Sequence, residues 1–195
     1  DSDACLRSDW LVQLIHHLRK EKTGVTTGYR WFIPKRSNFA TLALSIMNGK
    51  VAQLLGAYRF NQAWGGSMAL RKKTFDDLGV AHAWSESVSD DYCLSYLVKK
   101  AGKKIVFVPA CMVASYEEST WPSLFEFGRR QFLITRVTMP CTWFLGLFGG
   151  VYSVIGYFFL PAIALAMALN GNTKAAIMPA IAGMTWQHLI MIAIG

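Results

Sequence analysis

Past Arg136 the chain almost stops carrying charge: Lys174 is the only ionic side chain between there and Gly195. Phe144 to Leu169 is a run of 26 residues without a charged side chain, and Ala175 to Gly195 is another of 21. Roughly 20 apolar residues cover the thickness of a bilayer, and helices of a soluble core rarely go so long without a charge. The two runs therefore predict transmembrane helices over 144–169 and 175–195, joined by the polar turn Asn170-Gly171-Asn172-Thr173-Lys174. Gln187 and His188 inside the second run are expected to face protein rather than lipid.

The rest of the chain is of another kind. All twelve acidic residues lie between Asp1 and Glu126, and nineteen of the twenty basic residues lie between Arg7 and Arg136. Nineteen minus twelve leaves a net charge of +7 ahead of the apolar runs. Such a surface suits anionic lipid headgroups. The basic residues are scattered and form no nucleic-acid-binding motif, so nucleic acid is not an expected partner. Arg129, Arg130 and Arg136 precede the first run and only Lys174 follows it. The positive-inside bias then predicts an integral membrane protein with residues 1–140 in the cytoplasm. The cysteines, Cys5, Cys93, Cys111 and Cys141, have neither CxxC nor metal-type spacing, so free thiols are expected. The chain opens on Asp1 and stops within an apolar run. It is expected to be a piece of a longer protein, without the strand-helix units that would precede Asp1.

Helix and strand patterns alternate up to about residue 118, which predicts an α/β domain. Ser8 is the expected cap of a helix with the stripe Trp10, Leu11, Leu14, Ile15 and Leu18. Val25 to Ile33 reads as a strand ended by Pro34, and Asn38 to Leu55 as a helix with Gly56 beyond it. A short strand, Ser67 to Leu70, follows the Gly65-Gly66 break. Phe75 to Leu78 is a short helix stopped by Gly79. Ser89 caps a helix running through Lys100 and closed by Gly102, and Lys104 to Pro109 is a strand. Trp121 to Trp143 mixes arginines with Phe125, Phe127, Phe132, Leu133 and Ile134, the pattern of an amphipathic helix at a membrane surface. The domain reading is thus 1–118 catalytic, 119–142 interfacial and 143–195 in the membrane.

Two places carry candidate chemistry. Asp1-Ser2-Asp3 offers two carboxylates that can hold a hard divalent cation, Mg²⁺ or Mn²⁺. Asp90-Asp91 opens a helix, where free N–H groups and the helix dipole favour negative charge; this is an ordinary helix start and equally a place for a general base. In order along the chain stand Asp1-Ser2-Asp3, Gly24-Val25-Thr26-Thr27-Gly28-Tyr29-Arg30, Gly65-Gly66-Ser67-Met68-Ala69-Leu70-Arg71, Ser89-Asp90-Asp91-Tyr92 and Ala101-Gly102-Lys103-Lys104.

This series, over about residues 1–140, resembles family 2-type glycosyltransferases of GT-A fold, and within them the ceramide glucosyltransferase group. The resemblance implies the C-terminal part of a Rossmann-like GT-A domain, followed by an interfacial helix and transmembrane helices. It implies a metal-dependent, inverting hexosyltransferase acting between a nucleotide sugar, UDP-hexose in the first place, and a lipid acceptor such as ceramide. Residue by residue, it makes Asp1 and Asp3 the metal ligands, Asp91 the general base and Asp90 its acidic neighbour. Gly65, Gly66 and Ser67 match the loop on the acceptor side. Arg129, Arg130 and Gln131 fall where the family carries Gln-or-Arg-x-x-Arg-Trp, but Leu133 and Ile134 stand in place of its Arg-Trp. Arg136, one turn on, is the candidate for the missing charge. Two other readings compete: a processive polysaccharide synthase, which needs more spans and an intact Arg-Trp, and a non-catalytic membrane protein with a degenerate transferase domain.

Overall fold

The computed structural model describes residues 6–56 and 61–171, and beyond these only positions 177, 179 and 181. The chain divides into two compact units, residues 1–134 and 135–195.

The first unit is built on a three-stranded sheet in the order β2-β1-β3. The central strand β1 (Thr23–Pro34) pairs antiparallel with β2 (Met68–Leu70) and parallel with β3 (Lys104–Glu117). A parallel pair needs a long crossover, and the chain between supplies α2 (Phe39–Ala52), β2, α3 (Lys72–Asp77), α4 (Val80–Ser85) and α5 (Asp90–Lys100). Ahead of β1 lie α1 (Trp10–His16) and a tight 3₁₀ turn, His17–Arg19. After β3 comes α6 (Trp121–Thr138). The α/β expectation holds.

β3 outlasts its predicted end at Pro109 by eight residues, to Glu117. Proline removes a ladder hydrogen bond and is tolerated in a sheet at a bulge. Here β1 advances two residues, Thr27 to Tyr29, while β3 advances five, Phe107 to Met112. Three residues of β3 are therefore extra, and Pro109 falls inside that irregularity. Gly28 lies opposite: a Cβ on it would stand 2.2 Å from the Cys111 carbonyl oxygen and 2.5 Å from Ser67 Oγ. Only glycine lets the strands approach so closely.

Three apolar clusters hold the elements together. Val25, Ala63, Val80, Leu94, Val98 and Ile105 bind α4 and α5 to the sheet. Leu14, Val108 and Cys111 bind α1. Phe32, Leu44 and Leu124 bind α2 and α6. The buried edge of α1 is narrower than its apolar stripe predicts, for Leu11 and Ile15 are exposed. Asp9, not Ser8, precedes its first turn. Helix α2 is capped by Asn38, whose Oδ1 accepts from Thr41 N at 2.8 Å. Within that helix Asn48 braces β1: its Oδ1 accepts from Phe32 N at 3.0 Å and its Nδ2 donates to Arg30 O at 2.9 Å. The expected stop at Gly79 is a corner instead. Gly79 takes φ +60 and a further short helix, α4, starts at once.

The second unit holds α7 (Pro140–Val154), a π-helical segment (Ile155–Phe159) and α8 (Leu160–Leu169). Among the described residues no helix is long and apolar enough to cross a membrane. The expected 144–169 span is divided into three segments, which follow one another through helical dihedrals at both junctions. Pro161 supplies the reason: it lacks an N–H and its ring crowds the carbonyl four residues back, and a widened turn relieves both. The expected 175–195 span lies outside the described residues, three positions excepted.

Candidate functional site at the head of helix α5

The first turn of α5 is capped by its own aspartates. Asp90 Oδ1 accepts from Asp91 N at 2.9 Å, and Asp91 Oδ1 accepts from Tyr92 N at 2.8 Å. Ser89, in extended conformation, does not bond the helix backbone as predicted; its hydroxyl donates to Asp91 Oδ1. Asp91 Oδ1 thus takes two donors, and Oδ2 stays outside both bonds. Asp90 is exposed and Asp91 half-buried. The Trp84 indole N–H, on α4, donates to the Asp90 carbonyl oxygen at 2.9 Å and fixes the start of the helix from the side.

The loop from Asn61 to Ser67 comes up against this helix start, and buried polar side chains hold it there. Asn61 Nδ2 donates to Ile105 O at 2.9 Å. Ser95, one turn into α5, accepts from Ala63 N at 2.8 Å. Thr27 of β1 accepts from Trp64 N at 3.0 Å, and Ser67 O takes the Gly28 N–H at 2.8 Å. The loop therefore places Gly65 beside Asp90. A Cβ on Gly65 would stand 3.6 Å from both Asp90 carboxylate oxygens. Gly66 has its own constraint, since a Cβ there would meet the Trp64 ring at 2.4 Å. Gly65 and Gly66 are exposed, but Ser67 is 2% exposed, its Oγ turned into the bulge without a hydrogen-bond partner. Arg71, at the end of the same motif, donates to the carbonyl oxygens of Leu18, Glu21 and Thr23 at 2.8 to 3.1 Å, a clamp on the turn before β1.

An aromatic floor lies under the loop. The rings of Tyr29 and Trp64 meet edge to face at 5.8 Å. Burial pushes the Tyr29 phenol up to about 12, and the neighbouring Tyr92 adds to the rise against the opposing effects of Arg30 and Asn48. Tyr29, Trp64 and Tyr92 were no part of the candidate set read from the sequence. Their available signal is position: Tyr29 and Tyr92 lie within quoted motifs, and Trp64 directly precedes Gly65-Gly66.

The basic candidates stand elsewhere. Arg129 and Arg130 line a cleft of about 360 Å³ along α6, with Ser123, Glu126, Phe127 and Leu133. The Arg130 guanidinium lies 6.0 Å from the Phe127 ring centre. Gln131 is half-buried on the same helix. Arg136 belongs to the second unit, its guanidinium 5.5 Å from the Trp143 ring centre. Asp1 and Asp3 lie outside the described residues. Among the described residues no group of three or more His, Cys, Asp or Glu side chains could hold a metal ion.

A family model described as "Glycosyl transferase family 21" matches residues 1–194. No curated protein and no solved structure matches the chain.

Proposed function

Because the chain belongs to glycosyl transferase family 21, we propose that it moves a hexose, glucose in the first place, from a UDP-sugar to a lipid hydroxyl at a membrane surface, with inversion at the anomeric carbon. The observation that carries the reading is the meeting of Gly65 with the Asp90 carboxylate, one residue from Asp91. Gly65, without a side chain, stands beside the Asp90 carboxylate and leaves room there for an acceptor.

In this mechanism Asp91 takes the proton of the acceptor hydroxyl. The hydroxyl oxygen forms the new bond to the anomeric carbon as the bond to the diphosphate oxygen breaks, and the electron pair leaves with the diphosphate. Ser89 and the Tyr92 N–H fix Oδ1 of Asp91, which orients Oδ2 for the proton. Asp90 binds a neighbouring hydroxyl against Gly65. Asp1 and Asp3 are the residues that would hold Mg²⁺ or Mn²⁺, whose charge would stabilise a departing diphosphate. Arg129, Arg130, Gln131 and Arg136 serve the acceptor side, and the apolar runs hold the enzyme where its lipid is.

The test is incubation of the full-length protein in membranes with labelled UDP-glucose, UDP-galactose and GDP-mannose. Label from a UDP-hexose should appear in the lipid fraction. Label in polymer would turn the reading to a polysaccharide synthase, and no transfer from any donor would sink it.

A further inference from the structure

Helix α2 is apolar on both sides. Its inner face, Ala40, Thr41, Leu44 and Asn48, is buried against β1 and α6. Its outer stripe is Phe39, Leu42, Ile46 and Lys50, and Phe39 is 82% and Ile46 64% exposed. At roughly 100° per residue these four positions share about 80° of arc, opposite the buried face. A helix that is apolar all round belongs in a core or against lipid, yet no described element covers this side. Lys50 is the only charged residue in Phe39–Ala52.

Its neighbour α6 has a matching stripe. Leu124, Phe127 and Gly128 face α2, and the Met47 Cε lies 3.8 Å from where a Cβ on Gly128 would stand. Away from that contact, Trp121, Phe125, Arg129 and Phe132 again share about 80° of arc. Phe125 is 71% and Phe132 60% exposed. Aromatic rings alternating with arginine fit the headgroup boundary, where the rings enter and the guanidinium stays with phosphate. Neither stripe contains an acidic residue.

We propose that α2 is a second membrane-contact helix, whose stripe Phe39, Leu42, Ile46 and Lys50 lies on an anionic lipid surface beside the stripe of α6. Three observations select lipid over protein as the occupant. The two stripes combine apolar and basic groups only; they belong to helices in direct contact; and the chain leaves α6 into a charge-free apolar run. With two helices on the surface, the first unit is held in one orientation, and the Gly65–Asp90 site keeps a fixed presentation to lipid acceptors. The inference rests on the membrane residence proposed above.

Full-length protein carrying a benzophenone side chain at Ile46 is reconstituted in vesicles of phosphatidylcholine with phosphatidylserine, and in phosphatidylcholine alone. Val88, 80% exposed in the loop before α5, is the control position. Irradiation should give a phospholipid adduct at position 46, stronger with phosphatidylserine, and none at position 88. A cross-linked dimer would assign the stripe to a second copy. An adduct within the chain would assign it to another segment. Either result, no lipid adduct at 46, or equal adducts at 46 and 88, overturns the proposal. Transferase activity of the same vesicles separates the two readings. Active enzyme without the adduct removes only the docking; the adduct with no transfer from any nucleotide sugar removes only the function.

Discussion

Asp90 and Asp91 adjoin in sequence and face different surroundings. Asp91 is half-buried, with one oxygen fixed by Ser89 and the Tyr92 N–H; Asp90 is exposed and stands against Gly65. Asn at position 91 keeps the shape and can still accept the Tyr92 N–H, so the fold survives and the proton acceptor is lost. Asp91→Asn should lower kcat by about 10²-fold or more with little change in the KM for the nucleotide sugar, and Asp90→Asn should be milder. Steady-state kinetics in membranes checks both; a dead Asp90→Asn beside an active Asp91→Asn would exchange their roles. Tyr29 offers a test independent of catalysis. Its folded phenol is raised from 10.0 to about 12, mainly by burial. A raised folded value means that the neutral form stabilises the fold fully below pH 10.0, and that this contribution is lost as pH climbs toward about 12. Tyr29 should give a late ionisation step in an ultraviolet titration, and Tyr29→Phe should remove that step and flatten the alkaline fall in the denaturation midpoint.

At the scale of elements, the bulge of β3 against Gly28 is the least forgiving feature. Gly28→Ala would put a methyl 2.2 Å from a backbone oxygen that no rotamer change can move. The cost should be about 3 kcal/mol or more. Gly49→Ala, inside α2 with the Trp31 ring 3.8 Å away, should instead gain up to about 1 kcal/mol. Thermal melts of the two variants should move in opposite directions. This bulge also shows where the sequence stopped being legible. Asn38 at the start of α2, Gly102 after α5 and Pro34 at the end of β1 act locally, and each is readable from its neighbours. Pro109 reads locally as an end and becomes an interior residue because a partner strand some 80 residues away makes room for it. The site divides the same way. Asp90, Asp91 and Gly65 stand out as motif residues, while the aromatic floor depends on β1, the loop and α5 converging, which no spacing along the chain reports. Pro161 is the opposite case: hydropathy averages over it and reads one span, whereas its missing N–H divides the helix.

For the whole molecule, the charge asymmetry about Arg136 predicts sidedness. In sealed vesicles with the cytoplasmic face inside, added protease should leave residues 1–140 intact until detergent is supplied; cleavage before that places the catalytic unit on the other side. Metal dependence belongs to this scale too, because the proposed ligands, Asp1 and Asp3, would act with the rest of the enzyme. Excess EDTA should abolish transfer, Mg²⁺ or Mn²⁺ should restore it, and Asp3→Ala should lose nearly all of it; full activity in EDTA would remove the metal from the mechanism. The central position of β1 has a consequence in time. Its first parallel partner, Lys104, is 104 − 23 = 81 residues after Thr23. At about 5–20 residues per second of synthesis, that interval lasts about 4 to 16 s. Throughout it, a twelve-residue strand rich in Thr and aromatic residues has one edge with no mate, the condition under which strands find the wrong chain. The nascent protein is therefore at risk of aggregating before it has made any of its apolar runs, and slower synthesis or a chaperone occupying β1 should change the yield of folded enzyme.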